Sequence, residues 1–223
     1  NGLEGIASLY NDRLLCLDEL GQISPIEAGQ VVYMLGNGIG KARATQHGLA
    51  KTQATWRLVF LSTGELSLTQ VMEEVGCRVK AGQEVRLIEI PADTGSFGIF
   101  ENLHGLKGGA DFAIYLKNAC SKSYGMPARI FLKYLVQDIE GSIVFIKGVM
   151  GSMRQRYLPK TASPQVIRVF DHLALIAAAG ELASKFGITG WEKETEATTG
   201  VIKCFQDWLD TRGNLGMYEE REA

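Results

Sequence analysis

Several features are missing from this sequence, and each absence excludes a class of protein. No stretch of about 18 consecutive apolar residues is present, so the sequence predicts no transmembrane helix. It also shows no signal-peptide pattern. With only three histidines, a metal site built from histidine and cysteine is not expected. The cysteines are far apart and form no C-x-x-C pair, which indicates reduced, mostly buried thiols of a cytoplasmic protein. These cysteines are Cys16, Cys77, Cys120 and Cys204.

Charge of either sign is also not in excess. The formal net charge is −2, and the composition, 46% hydrophobic and 22% charged, is that of an ordinary globular protein. Because no global basic field is present, any contact with nucleic acid must be local. A chain of 223 residues can form one large domain or two small ones, with a sizeable core. The first residue is Asn rather than Met, and we expect a piece of a longer protein.

A short apolar run near the start of the chain ends in two adjacent carboxylates. Residues 14–17 are predicted to form a strand buried on both faces, as in a parallel sheet. Asp18 and Glu19 follow directly, at the edge where open α/β sheets place ligands. This is the form of a Walker B strand, in which the Asp helps to hold Mg²⁺ and the Glu polarises the attacking water. The alternative is a buried strand followed by an acidic turn or a helix N-cap.

A helix and a second strand follow, which is an α/β pattern. Residues 24–27, Ser-Pro-Ile-Glu, predict a helix start with a serine N-cap and a proline at the first position. Residues 55–61 give the strongest strand signal in the chain, and Ser62, Thr63 and Glu65 come after it. P-loop ATPases keep a γ-phosphate sensor at the end of the strand beside Walker B, so these side chains are candidates for that sensor. Alternatively, the segment only turns the chain.

A glycine-rich, basic stretch separates the helix from the second strand. Its Gly-Asn-Gly-Ile-Gly-Lys-Ala sequence is not a Walker A loop, and the required G-x-x-x-x-G-K-[ST] motif occurs nowhere in the chain. Residues 37–57 contain Lys41, Arg43 and Lys51 but no Asp or Glu. We expect a flexible loop, and its cations could contact the phosphates of DNA or RNA. The alternative is a solvated loop with ordinary surface charge.

A third strand is predicted over residues 85–90, and Pro91 ends it. Arg86 lies inside this otherwise apolar strand and therefore needs a partner. It could pair with an acid, or reach a nucleotide phosphate across a subunit boundary, as an arginine finger does. The turn-rich stretch that follows indicates a domain boundary. The sequence therefore predicts a first domain over residues 1–98 and a second over residues 99–223.

The second domain is predicted to be entirely helical. Helices are expected over about 110–123, 127–136, 141–157, 163–187 and 194–212. The fourth of these is apolar all round over residues 173–180, so it is expected to be a buried central helix. Arg168 on this helix should be paired, either with a nucleotide, as a sensor, or with an acid such as Glu181. The neighbouring His172 is expected to pack in the core.

Longer motifs carry a resemblance to known proteins. They are residues 14–22, 33–43, 82–93, 100–105, 178–183, 190–191 and 208–213. Over nearly its whole length the sequence resembles the uncharacterised P-loop ATPase family carried by bacterial integrative elements and prophages. That family is similar to primase-associated and superfamily-three-like replicative helicases.

The resemblance implies a partial P-loop NTPase core, a parallel sheet with flanking helices, followed by an all-helical C-terminal region. It implies a helicase- or translocase-like protein that acts on DNA in element replication or transfer, as a homo-oligomeric ring. Asp18 would be the Mg²⁺ residue, Glu19 the catalytic base, Ser62 or Thr63 the sensor, and Arg86 a finger or sensor. The family places its Walker A loop before the first residue of this chain. We therefore expect the intact protein to use ATP and Mg²⁺, and this chain alone to be inactive.

Two other classes of function are left open by the sequence. One is a non-catalytic interaction module, in which Arg86 and the Asp18–Glu19 pair are structural. The other is a nucleic-acid-binding domain that works through the basic stretch at residues 41–51.

Overall fold

The structure is a computed structural model, and it describes residues 2–18, 24–44, 46, 48–50, 52–77, 81–191 and 195–213. The chain divides into two compact units, Asn1–Glu89 and Ile90–Ala223. The boundary expected after residue 98 therefore falls inside the second unit. Each unit is described separately below.

The first unit is built around two parallel strands. In chain order its elements are α1 (Gly2–Leu9), β1 (Leu14–Leu17), α2 (Pro25–Asn37), β2 (Val59–Ser62), α3 (Leu68–Glu73) and α4 (Ala81–Glu84). Leu14 of β1 is opposite Val59 of β2, and Leu17 is opposite Ser62. Parallel neighbours need a crossover connection, and α2 lies in the connection between these two strands. The predicted α/β class is confirmed in this coarse form.

The core of the first unit forms where α2 packs against its neighbours. One cluster joins α2 to β1 and α1, and its buried members are Ala7, Leu15, Leu35 and Trp56. A second cluster joins α2 to α3, and its buried members are Ala28, Val32, Leu68 and Met72. The Trp56 Nε1–H donates to the Leu35 carbonyl at 3.1 Å, which places the C-terminal end of α2 beside the start of β2. Gly38 ends the helix in the left-handed conformation.

The segment predicted as a third strand is not a strand. Residues 85–90 form a turn and an irregular stretch after α4, and among the described residues the sheet consists of β1 and β2. Glu89 instead accepts a hydrogen bond from the backbone N–H of Leu68, the first residue of α3. Burial raises the pKa of Glu89, although this hydrogen bond acts in the opposite direction. Side-chain contacts thus hold this segment in place of a strand ladder.

The second unit is helical, as predicted. Its helices are α5 (Gly109–Lys122), α6 (Met126–Gln137), α7 (Ile139–Tyr157), α8 (Pro164–Lys185) and α9 (Glu196–Arg212). Their ends follow the sequence signals: Ser163 Oγ accepts the Val166 N–H at the start of α8, and Gly213 ends α9 in the left-handed conformation. No described helix combines the length and the apolar character needed to cross a bilayer.

The core of the helical unit lies along α8, which packs between α7 and α9. Phe170 of α8 meets Phe205 of α9 edge to face, with ring centroids 5.0 Å apart. The expectation that α8 is buried all round is wrong, because Leu175 and Ile176 are 50% and 49% exposed. In the described part of the unit, α7 and α9 cover only part of the circumference of α8. His172, which was expected in the core, lies at the surface for the same reason.

Glu181 of α8 caps the neighbouring helix α9. Its two carboxylate oxygens accept the backbone N–H groups of Thr195, at 3.1 Å, and of Thr198, at 2.8 Å. The side chain of Thr195, the N-cap residue, makes no cap hydrogen bond itself. The carboxylate therefore satisfies N–H groups that the helix cannot, and its negative charge is favoured at a helix N-terminus.

Replacing Glu181 with alanine is expected to lower the free energy of unfolding of the helical unit by about 2 kcal/mol, because two N–H groups lose their acceptor in a buried site. Urea unfolding followed by circular dichroism would measure the loss. Asp210→Ala removes the same charge from an exposed position on α9 and should change stability by less than about 0.5 kcal/mol. Equal losses in the two variants would show that charge, and not capping, is responsible.

Candidate functional site

The candidate site lies at the carboxyl ends of the two paired strands. Because Leu17 is opposite Ser62, the next residues, Asp18 and Thr63, leave the sheet side by side. The Thr63 Oγ1–H donates to Asp18 Oδ1 at 2.9 Å, and the Thr63 N–H donates to the Leu17 carbonyl at 3.3 Å. Both side chains are exposed to solvent. The register of the sheet therefore brings together two residues that are 45 positions apart in the sequence.

The donor atoms at this edge suit a small, hard cation. A carboxylate and a hydroxyl oxygen are the ligand types that Mg²⁺ takes, and Mg²⁺ usually completes its shell with waters and substrate phosphates. Among the described residues no cluster of three or more His, Cys, Asp or Glu side chains could hold a metal ion by itself. Asp18 with Thr63 thus fits a metal that is shared with a phosphate ligand, rather than an all-protein metal cage.

The two hydroxyl candidates for the sensor are not equivalent in the structure. Thr63 contacts Asp18, whereas the Ser62 Oγ–H donates to the carbonyl of its neighbour Thr63, at 3.3 Å, and the residue is partly buried. Glu65 is exposed and follows the turn. Glu19, the expected base, lies outside the described residues. The hydroxyl of Thr63 therefore contacts Asp18, whereas that of Ser62 donates to a backbone carbonyl.

Arg86 lies elsewhere in the first unit, against the C-terminal end of α2. Its Nε and Nη2 donate to Asn37 Oδ1 at 3.1 and 2.7 Å, and its Nη1 donates to the Gly82 carbonyl at 2.5 Å. The guanidinium also stacks over the ring of Tyr33, 4.6 Å from its centroid. In the described residues the partners of Arg86 are thus a side-chain amide, a backbone carbonyl and an aromatic ring. None of them is the acid that was one of the two alternatives from sequence.

The position of Arg86 also separates it from the Asp18 edge of the same unit. The Trp56 N–H donates to the Gly38 carbonyl, so the end of α2 lies at the amino end of β2, whereas Thr63 lies at its carboxyl end. The two ends are separated by β2 and the short segment that precedes it, a span on the order of 20 Å. Within one chain Arg86 and Asp18 are not brought together. A role for Arg86 as a finger toward a second copy stays a prediction.

The described residues between 39 and 55 of the basic stretch pair with one another at two places, and we call them the basic hairpin. Isolated antiparallel bridges join Ile39 to Thr55 and Ala44 to Ala50. Arg43 Nη2 forms an ion pair with Glu4 Oε2 at 2.7 Å, which ties the hairpin to α1. A small cavity of about 290 Å³ opens beside this ion pair.

The hairpin leaves its cations unequally available. Arg43 is engaged by Glu4, and the backbone N–H of Lys41 also donates to Glu4, at 3.3 Å. The Lys41 side chain is exposed, and it forms no ion pair within the described residues, so it is the better candidate for a phosphate contact. Lys51 lies outside the described residues. Glu4 was missed by sequence reasoning, although an acid beside the apolar positions of α1 was a signal for it.

Arg168 lies on an exposed part of α8 in the helical unit, so the expectation that it is buried is wrong. Partial burial, and then the charge of Arg168, lower the pKa of the neighbouring His172, while Asp171 raises it. The predicted contact of Arg168 with a nucleotide stays a prediction.

One comparison with known proteins gives a match. A family model described as a domain of unknown function, DUF927, matches residues 1–55. This span contains α1, β1, α2 and the basic hairpin, and so includes Asp18 but stops before Thr63. Neither the curated proteins nor the solved structures contain a match to this chain.

Proposed function

We propose that this chain is the C-terminal part of an ATP-dependent, helicase- or translocase-like protein of a bacterial mobile element, and that its first unit supplies the Walker B strand. One observation carries the proposal: the hydrogen bond from Thr63 to Asp18 at the carboxyl ends of two paired parallel strands. Open α/β sheets bind nucleotides at this edge. A Walker B carboxylate beside a hydroxyl sensor from the adjacent strand is the arrangement that phosphoryl transfer needs there.

The residues of this chain would divide the work at that edge. MgATP, when bound, supplies the phosphoanhydride bond to be cleaved and the metal that neutralises charge on its phosphates. Asp18 would hold the metal directly or through water, and Thr63 fixes the orientation of its carboxylate. Glu19 would take the proton of the attacking water. Because the chain contains no Walker A motif, the proposed activity also requires a P-loop from outside these 223 residues.

Two further parts of the proposal concern partners. DNA would be contacted through the basic hairpin, with the exposed Lys41 and with Arg43 and Lys51 of the same stretch. Arg86 would act between copies of a ring, since it cannot reach Asp18 within its own unit. The competing function is a non-catalytic interaction module, in which the Thr63–Asp18 bond only closes the end of the sheet. The two functions differ in one observation, since only the motor requires a Walker A loop encoded upstream of this chain.

The inequality of the two hydroxyls provides a test with an internal control. In the protein that includes a P-loop, Thr63→Val keeps the shape of the side chain but removes its hydroxyl. We expect it to lower DNA-stimulated ATP hydrolysis by about 10²-fold, the effect of losing one oriented polar group in a transition state. Ser62→Ala, at the adjacent position, should retain nearly full activity. The proposal is wrong if the two variants hydrolyse ATP equally fast, or if the unaltered protein has no ATPase activity.

A further inference from the structure

One cavity in the helical unit has no part in the proposed ATP site. It measures about 740 Å³ and opens between α7, α8 and the turn that leads into α9. The volume is within the range of about 300–1,000 Å³ that is usual for pockets that bind small ligands. Its floor is apolar, with Val149 and Met153 of α7. Its rim carries aromatic rings and cations, which together suggest the chemistry of a ligand.

Trp191 is one of the residues that line this cavity, and it follows a tight turn after α8. The turn before it uses the left-handed conformation at Gly187 and Gly190, and the Thr189 and Ser184 hydroxyls share a hydrogen bond of 3.0 Å. The backbone N–H of Trp191 donates to Thr189 Oγ1 at 3.4 Å. The edge of the ring lies near Gly180 of α8, since a Cβ atom built there would be 3.7 Å from its Cζ3. Trp191 is nevertheless 50% exposed and lines the cavity, so a ligand can reach it.

Glycine at position 180 allows this arrangement. A Cβ atom on Gly180 would lie 2.5 Å from Cβ of Ala197 and 3.7 Å from Cζ3 of Trp191. The close approach of α8 to the first turn of α9 thus requires glycine at this position.

The charges of the described lining residues favour an anion. Arg156 and Lys185 lie on the rim, and both make contacts with aromatic rings: Lys185 Nζ is 4.6 Å from the centroid of Phe145. Glu181 is the one acid among the described lining residues, and its carboxylate is already bound by the two N–H groups that begin α9. Glu192 and Glu194, which follow Trp191 in the sequence, lie outside the described residues.

We infer that this cavity binds a nucleobase together with its phosphate, as found in a mononucleotide or in single-stranded nucleic acid. An exposed indole face accepts any base by stacking, and flanking cations bind the phosphate. A peptide is a poorer fit, because the main walls are helices whose backbone groups are already bonded within the helix. An extended peptide would find few backbone partners there. The inference does not depend on the proposed ATPase, since every residue of the site belongs to the helical unit.

The tryptophans of the chain supply a direct readout. Of its three tryptophans, Trp56 and Trp208 are 5% and 3% exposed, so Trp191 is the one that solvent and ligands can reach. The 223-residue chain would be titrated with a short oligothymidylate and, separately, with thymidine monophosphate. Stacking on Trp191 is expected to quench the fluorescence to saturation, and Trp191→Leu should abolish that change.

A matched pair of glycine variants tests the location. A Cβ on Gly148 or on Gly151 of α7 meets no other atom within 4 Å, but only Gly148 lines the cavity. Gly148→Met should place its side chain in the cavity and weaken binding at least about tenfold. Gly151→Met makes the same change in helix propensity and should bind as the unaltered chain does.

Each result bears on the inference. Tighter binding of the oligothymidylate than of the monophosphate would identify a nucleic acid strand as the natural ligand, and equal binding would identify a free nucleotide. Either result supports the site if Gly148→Met weakens it. The inference is overturned if neither ligand quenches the fluorescence, if both methionine variants bind equally, or if only an acidic aromatic peptide binds.

Discussion

Replacing Phe170 with alanine is expected to lower the free energy of unfolding of the helical unit by roughly 3–5 kcal/mol. Phe170 is 1% exposed and lies where α8 meets α9, with its ring edge to face against Phe205. Phe205 in turn stacks on Trp208, with ring centroids 6.0 Å apart. The substitution removes the ring and leaves a cavity that two rigid helices cannot fill by moving together. The loss is a large part of the stability of a domain of this size.

Hydrogen exchange would measure this loss where it occurs. Because the chain has two units, a single unfolding transition would mix their stabilities, whereas amide exchange reports on each helix separately. The amides of α8 and α9 should lose protection, while those of α2 in the first unit should not. Leu175→Ala, on the exposed part of the same helix, should cost less than about 1 kcal/mol. An equal loss in the two variants would contradict the core that we describe.

The helices of the second unit could be predicted from sequence because their signals are local. Ser163 followed by Pro164 marks the start of α8, and Gly213 marks the end of α9. Each signal depends only on residues within one helical turn. The prediction of how far α8 is buried was wrong. An apolar run does not state how many neighbours a helix has, so Leu175 and Ile176 were expected to be buried but lie exposed.

In the first unit, too, one contact was predictable from the sequence and another was not. Asp18 and Thr63 were predictable as neighbours, because residues at the ends of adjacent parallel strands share one edge. The contact of Arg86 with Asn37 was not predictable, because the two residues are 49 positions apart and no pattern in the sequence joins them. The alternation over residues 85–90 is typical of a strand, but six residues are too few to outweigh the side-chain contacts that hold this segment against α2 and α3.

Replacing Glu19 with glutamine is expected to lower DNA-stimulated ATP hydrolysis by about 10²–10⁴-fold in the protein that includes a P-loop, while ATP binding is retained. Glutamine has nearly the size of glutamate but cannot accept a proton from water. The ligands of the nucleotide, including Asp18, would be unchanged, so affinity should not fall. A steady-state ATPase assay with single-stranded DNA, combined with a nucleotide-binding measurement, separates the two effects.

Glu27→Gln is a matched control for this substitution. Glu27 is an exposed acid in the first turn of α2, the next acidic residue after Glu19 in the chain, and the change in charge is the same. It should leave hydrolysis within about twofold of the unaltered rate, since exposed charges contribute little by themselves. Loss of turnover in the Glu19 variant alone would identify Glu19 as the base. Equal rates in all three proteins would instead make the Asp18–Glu19 pair structural, and this would favour the interaction module over the motor.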